Sequence, residues 1–598
     1  MPLNGSGRGA LHKREAANGN GFTGNGFARN GFTIGLKATT MRLAAIDVGS
    51  NSVHMVVADV TRGGHLVVVD RVKELVRLGR RVFLTGKLTA ESMDLASRAL
   101  KHFQQVAQAR RVKRLRVVAT SAVREAANRS VFLKRIRRET GLAVEVISGQ
   151  EEARLIFNAA RYALGLDGGP HLLLDVGGGS VELVLVREGR PLWLRSFPLG
   201  AARLTERFLT SDPPREAQVS ALTAHLKREL AEVLDSARRL GVTRTIGTSG
   251  TVNSLIAMVR AERGEELGRL HCASATAADI GRLKNRVLEC DASERAELPA
   301  ADAKRIDLMP ASAILVDFIL SRTNSPELVA CSWALREGVL LELAGLAPDR
   351  GAADARRRSV EALAARFSGD NTHGRQVARL ALQIYNGCLG SLALAPEARE
   401  LLEYAALLHD IGHAIDHDRH HHHTYYLIKN GELFGFDPIE IEVIALAARS
   451  HRKQSSKLDS AQLDALSRER RRTVRGLAAI LRVADALDRS HSNVVRSVAI
   501  RPAPAGLVFE VDSGSTDAAL ELWTAQRRAE LLTRLLDRKV ILQPSGAFPE
   551  NGLPAHKRSL GKHLRNGDGS HPAGKNGAGR ANGKSRASQS IRHNHRAE

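Results

Sequence analysis

The sequence predicts an α/β fold made of a duplicated unit, followed by a mainly α-helical domain. Three observations predict it. A strand–turn–strand pattern with Asp-x-Gly in the turn occurs twice, as Ile46-Asp-Val-Gly-Ser-Asn-Ser52 and Leu174-Asp-Val-Gly-Gly-Gly-Ser180. After each copy, helical and strand patterns alternate. Beyond about residue 349, helical periodicity takes over and strand runs become few.

Order is expected to begin at Met41. Residues 42–47, 53–60 and 66–72 read as three strands with tight connections. A helix is predicted over 90–109, a strand over 115–119, a helix over 121–139, a strand over 142–147, and a helix from Glu151 to about Ala163. The second copy predicts strands over 171–176, 181–187 and 192–197, helices over 201–209 and 215–240, a strand over 243–246, and a helix from about Thr251. The expected organisation is 41–165 and 166–349 for the two halves, 355–490 for the helical domain, and 491–544 for a small α/β appendage. The appendage carries a hairpin over 497–512 and a helix over 516–538. Residues 1–40 (Gly/Asn-rich) and 545–598 (Gly, Asn, Ser, Arg and His) lack the apolar content for a core and are expected to be disordered.

The chain has 598 residues, 88 Lys and Arg against 64 Asp and Glu, and a net charge of +24. Residues 1–40 hold five basic residues against one acid, and 551–598 hold ten against two, leaving about +12 for the body. That charge suits a polyanionic partner. Aromatic residues make up only 4%, which leaves few side chains for stacking on nucleic-acid bases. Cys272, Cys290, Cys331 and Cys388 are far apart and form no CxxC, so neither a disulfide framework nor a zinc ribbon is predicted. No apolar run approaches the roughly 20 residues of a spanning helix, and the N-terminus lacks the apolar core of a signal peptide. The reading is a cytoplasmic protein with no membrane partner.

The two Asp-x-Gly turns carry the chemistry. Gly49 and Gly177 to Gly179 allow backbone N–H groups to line an anion nest, and Ser50, Asn51 and Ser180 add side-chain donors. Asp47 and Asp175 end buried strands beside those nests. Carboxylates there would repel phosphate unless Mg²⁺ bridged them. A third turn, Gly247-Thr-Ser-Gly-Thr251, joins a strand to a helix and offers another phosphate seat. Glu151 and Glu152 open a helix; either could align water against a phosphoryl group, or both could serve the helix dipole. Glu182, seven residues past Asp175, could orient a metal-bound water. Arg124 could clamp a phosphate.

These runs resemble the exopolyphosphatase / guanosine pentaphosphate phosphatase (Ppx/GppA) family. The resemblance lies in AAIDVGSNSVHMVVADV (44–60), ATSAVREAAN (119–128), VEVISGQEEARLIF (144–157), LLLDVGGGSVELVL (172–185), GTSGTVNSL (247–255) and ALREGVL (334–340). It implies an actin-like (ribonuclease H-like, ASKHA) core and release of orthophosphate from the ends of inorganic polyphosphate, or hydrolysis of guanosine pentaphosphate. It further implies Glu152 as the catalytic base and Asp175 and Glu182 as Mg²⁺ ligands; Asp47 joins them as a metal candidate on the charge argument above. The phosphate-binding elements it implies are Gly49 to Asn51, Arg124, Gly177 to Ser180, and Ser249, Gly250 and Thr251.

The helical domain carries His409-Asp410 on an apolar helix, with His373 upstream and Asp485 downstream. This resembles the H…HD…D ligand pattern of HD metal phosphohydrolases and suits a second divalent metal. His420 to His423 and His451 could serve a further ion. The domain is also expected to lengthen a substrate channel and support a homodimer. The competing functions are an HD-type nucleotide phosphohydrolase, a kinase on the same fold, and a polyanion-binding regulator.

Overall fold

Two β-strands of ten residues, each apolar at six positions, open the fold: β1 (Thr39–Val48) and β2 (Ser52–Thr61). Leu43 to Ile46 are fully buried, as expected for a central strand covered on both faces. With β3 (Leu66–Leu75), β4 (Arg114–Ala119) and β5 (Val144–Val146) they form a mixed sheet of order β3-β2-β1-β4-β5. The antiparallel pairs are β1–β2 and β2–β3; β1–β4 and β4–β5 are parallel.

The second sheet contains β6 (His171–Val176), β7 (Val181–Arg187), β8 (Arg190–Phe197), β9 (Arg244–Gly247), β10 (Ser274–Thr276) and β11 (Glu327–Ala330). Its order, β10-β11-β9-β6-β7-β8, repeats the plan of the first sheet with β10 added antiparallel at the edge. The register makes the repeat quantitative. Asp47 lies opposite His54 in the first hairpin, and Asp175 lies opposite Glu182 in the second. The turn bonds match as well: Gly49 N–H donates to Ser52 O at 3.1 Å, and Gly177 N–H to Ser180 O at 3.0 Å.

The computed structural model describes residues 39–61, 64–265, 268–346, 352–452 and 461–546. The sequence expectation for the termini therefore falls almost wholly outside the described residues; within them, β1 begins at Thr39 rather than Met41. The helix predicted over 121–139 is broken into Ser121–Glu125 and Arg129–Thr140. The break has a tertiary cause: Ala126 is extended, and the Asn128 amide bonds both the N–H and the C=O of Leu88 instead of continuing the helix. The short strands β10 and β11 went unread because three or four residues carry no detectable alternation.

Between 352 and 486 the described structure is helical, including Thr372–Leu392, Ala398–Leu408, His420–Asn430, Pro438–Arg449 and Arg468–Ala486. These helices bury one continuous apolar core that extends into a three-stranded sheet. The predicted hairpin is β12 (Ser497–Ala503) and β13 (Gly506–Asp512); β14 (Val540–Pro544), which the sequence did not predict, adds parallel to β13. The helix predicted over 516–538 is two helices, Ala519–Arg528 and Glu530–Leu536.

The two halves are tied by a crossing connection. The helix Leu335–Ala344 ends the second half but packs on β1 and on the helix Gly149–Leu164. These helices share one core with apolar residues of both sheets, including Leu43, Val56, Leu173 and Val184. Gly338 makes the approach possible, since a Cβ there would lie 2.1 Å from Leu155 O. Among the described residues, no helix is long and apolar enough to cross a membrane.

Candidate active site

Strands β1 and β6 both end on the same cleft. Asp47, Gly49, Ser50, Asn51, Glu152, Asp175, Gly177 to Ser180, and Ser249 to Thr251 all line a cavity of about 250 Å³. The two glycine turns nearly touch: a Cβ on Gly178 would lie 3.1 Å from Ser50 Cβ, and one on Gly179 would lie 2.5 Å from Ser121 Oγ. The glycines at 177–179 are thus required by close approach; none of them has a positive φ. The N–H groups of Ser50, Asn51, Gly178 and Gly179 enter no turn or ladder hydrogen bond among the described residues. They form paired donors for an anion.

The structure separates the two candidate bases. The helix Gly149–Leu164 starts at Ser148, whose hydroxyl accepts from Glu151 N–H at 3.1 Å. Consecutive residues on a helix point about 100° apart. Glu151 turns to Arg154, 2.6 Å away, which holds its carboxyl below the usual range. Glu152 turns inward, is 7% exposed, and accepts from Arg124 Nη1 at 3.0 Å. Burial, opposed by Arg124 and reinforced by Asp47 and Asp175, pushes its carboxyl up to about 8.

Three more acids share this environment. Burial pushes Asp47 up to about 7, against Arg336 and aided by Asp175. Asp175 is raised by burial, although the Thr248 hydroxyl donates to its Oδ2 at 2.6 Å. Glu182 is raised well above the ordinary range by burial, then by Glu152 and Asp175. It accepts from Ser196 Oγ at 2.8 Å and stands behind the cleft wall rather than on it. Glu152 and Glu182 are buried, Asp47 and Asp175 half-buried on the cleft wall, and four carboxylates this close must be either protonated or neutralised by a cation. Asp47 Oδ1 has no hydrogen-bond partner. A buried, orphaned carboxylate oxygen beside three other acids and two anion nests fits a hard divalent ion with oxygen ligands.

Arg124 does not stand alone as a phosphate clamp. Its Nη1 is shared between Glu152 and the Ile147 carbonyl, and it lines an adjoining cavity of about 450 Å³ with Gly149, Ser180 and Ser196. Ser249 caps the helix Gly250–Glu262 by accepting from Val252 N–H, and its residue also reaches the cleft wall.

Sequence reasoning missed the cationic wall. Lys73, Arg305 and Arg336 line the same cleft. Arg305 donates to Thr251 Oγ1 at 3.3 Å and pairs with Asp302. Arg336 Nη1 donates to His54 Nδ1 at 2.5 Å, leaving His54 Nε2 to share a 2.6 Å bond with Ser52 Oγ. Burial and then Arg336 push the His54 imidazole down to about 2, so the ring is neutral. Arg336 lies in the 334–340 run, whose letters by themselves give it no role. Nothing local marks Lys73 or Arg305.

The residues of the second pattern also converge. His373, His409 and Asp485 present ligand atoms within 4.8 Å of one another, and so do Asp410, His420 and His451. Of the four-histidine run, only His420 turns into this cluster; His422 is exposed.

Two family models match the chain: the Ppx/GppA phosphatase family over residues 56–347, and Ppx/GppA phosphatase domain III over residues 355–511. Among solved structures, a Cytophaga hutchinsonii exopolyphosphatase is 29% identical; the match covers 52% of this chain and 100% of that one, with a TM-score of 0.49. An Aquifex aeolicus Ppx/GppA enzyme is 31% identical; the match covers 50% of this chain and 99% of that one, with a TM-score of 0.44.

Proposed function

The chain belongs to the Ppx/GppA phosphatase family, and on that premise we propose that it removes terminal phosphates from inorganic polyphosphate as an exopolyphosphatase. The observation that carries this reading is the meeting of two matched Asp-x-Gly turns and one inward glutamate on a single cleft. We read the two sheets as a duplicated actin-like core and the helical region as an HD-like domain, with boundaries near those predicted from sequence.

The terminal phosphate sits between the nests at Ser50–Asn51 and Gly178–Gly179, with the Ser249–Thr251 turn as a third contact. Lys73, Arg305 and Arg336 offset the charge of the following phosphates. Asp47 and Asp175 at the cleft, with Glu182 behind its wall, would hold Mg²⁺, which would supply neutralisation of charge on the phosphoryl oxygens. Thr248 fixes Asp175, and Arg124 fixes Glu152. Glu152 takes a proton from a water whose oxygen attacks the terminal phosphorus. The P–O–P bridge breaks on the far side and orthophosphate leaves. A carboxylate in this role needs its proton removed at neutral pH, which burial opposes and a neighbouring divalent cation favours. The protein works in the cytoplasm as a homodimer.

Guanosine pentaphosphate ends in the same phosphoanhydride, so the test uses both substrates. Phosphate release is measured from long-chain polyphosphate and from guanosine pentaphosphate, for wild type and Glu152→Ala, with and without Mg²⁺. Loss of the general base should slow release at least ~100-fold. An unslowed Glu152→Ala protein overturns the reading. Equal turnover of both substrates would leave the chemistry standing and remove the preference for polyphosphate.

A further inference from the structure

The candidate cleft has a neighbour. A second cavity of about 450 Å³ lies against it, larger than the cleft's own volume of about 250 Å³. Ser180 lines both. Beside Ser180 the partition is an ion pair: Glu152 lines the cleft, Arg124 lines the second cavity, and Arg124 Nη1 donates to Glu152 Oε2 at 3.0 Å. Ser196 also lines the second cavity, and its hydroxyl donates to Glu182 Oε1 at 2.8 Å. The cavity reaches solvent past Ser148, Gln150 and Pro198, which are all exposed.

The two spaces differ in charge. Lys73, Arg305 and Arg336 line the cleft, and none of them lines the second cavity. The second cavity has Arg124 and Arg195 instead. Its acid, Glu125, is already neutralised: Arg203 Nη2 stands 2.7 Å from both carboxylate oxygens, and Ser121 Oγ donates to one of them at 2.7 Å. Leu194, Phe197 and Pro198 make part of the wall apolar. A polyanionic chain is drawn to the three clustered cations of the cleft. A single small anion needs only a guanidinium and a few hydroxyls.

The direction of the reaction separates the chain from its product. In the exopolyphosphatase reading, the attacking water stands at Glu152. In-line attack then places the departing chain on the opposite side of the phosphorus. Orthophosphate therefore forms on the Glu152 side, while the shortened chain still covers the cationic wall and repels it. Arg124 is the nearest cation on that side. Its Nη1 holds Glu152 and the Ile147 carbonyl, whereas its Nη2 lies at the cavity wall, 3.9 Å from where a Cβ on Gly149 would stand.

We propose that the second cavity is an orthophosphate site and the product's exit, separate from the path of the polyphosphate chain. Orthophosphate passes Arg124, which swings from Glu152 to the departing anion and back. It leaves between Ser148, Gln150 and Pro198, while the chain keeps its place in the cleft. No bond is made or broken in this step. The proposal rests on the exopolyphosphatase reading, which supplies the product.

The test uses the full chain with Mg²⁺ and long-chain polyphosphate. Rapid-quench measurement of the first turnover is compared with the steady state for wild type, Gln150→Trp and Gln150→Ala. Gln150 is exposed at the cavity mouth and belongs to no catalytic group. Gln150→Trp should leave the first turnover unchanged, slow the steady state at least ~10-fold and show a burst of one orthophosphate per site, because product release becomes limiting. Gln150→Ala, which adds no bulk, should behave as wild type. Added orthophosphate should lower kcat of wild type without raising KM for polyphosphate, since it re-enters beside the bound chain. That pattern is read on wild type and does not depend on a variant folding. Competitive inhibition, an unslowed Gln150→Trp, or a Gln150→Ala protein slowed as much as Gln150→Trp overturns the exit with the chemistry intact. A wild type that forms no orthophosphate in the first turnover overturns the exopolyphosphatase reading and the exit with it.

Discussion

Replacing Gly338 by Ala should loosen the joint that brings Arg336 and Glu152 to one cleft. The helix Leu335–Ala344 carries Arg336 in its first turn, and the helix Gly149–Leu164 carries Glu152 in its first turn. They cross at Gly338, where an added Cβ would meet Leu155 O at 2.1 Å and Leu155 C at 2.7 Å. Ordinary contact begins at 3.4 Å, so the two backbones must part by about 1.3 Å, and neither side is a flexible side-chain tip. Alanine gains about 1 kcal/mol over glycine in a helix interior. Overpacking backbone against backbone costs about 1–3 kcal/mol or more and should win. The net expectation is a loss of up to about 2 kcal/mol, together with a fall in phosphate release of up to ~100-fold, because a displacement near 1 Å misaligns catalytic groups by that order. Urea unfolding and phosphate-release assays on the same preparation measure both. Gly390 supplies the opposite sign: it lies in the helix Thr372–Leu392 with nothing within 4 Å of an added Cβ. Gly390→Ala should stabilise by about 0.5–1 kcal/mol. A Gly338→Ala protein as stable and as active as wild type would refute the close crossing.

Two further predictions follow from buried polar contacts. His271 accepts from Ser332 N–H at 3.2 Å, and burial, with Arg269, pushes its imidazole down to about 4. Its folded value is below the unfolded one, so its contribution is complete above about pH 6.5 and is lost as pH falls toward and through 4. The loss amounts to about 3 kcal/mol at most, and His271→Asn should flatten the pH dependence of the urea midpoint between pH 7 and 4. An equally steep dependence in the variant would exclude His271 as its source. Thr248→Val removes the 2.6 Å bond to Asp175 Oδ2. Losing an outer contact of this kind lowers metal affinity by about 10–100-fold, so the Mg²⁺ concentration for half-maximal phosphate release should rise accordingly. An unchanged Mg²⁺ requirement would show that Asp175 needs no such support.

Much of the fold was legible because its signals are local. The paired Asp-x-Gly turns, the apolar strands around them and the helix over Ala90–Ala109 follow from patterns only a few residues long. The failures lie where a contact distant in sequence decides the local structure. The 121–139 helix breaks because the Asn128 amide is captured by Leu88, forty residues earlier, and β14 is too short to announce itself before it pairs with β13.

The sequence by itself determined which residue types exist at which spacing: two acids beside glycine turns, two adjacent glutamates opening a helix, and a His-Asp pair on an apolar helix. Only tertiary structure decided which of them face one another. Glu152 rather than Glu151 points into the cleft because the helix packs one face against both sheets. Arg336 reaches His54, 282 positions away, because the chain crosses back from the second half onto the first. Of the run His420 to His423, His420 meets Asp410 because of how its helix is set against the preceding one. Spacing along a chain fixes directions within one element, whereas convergence between elements depends on packing that no short stretch of sequence encodes.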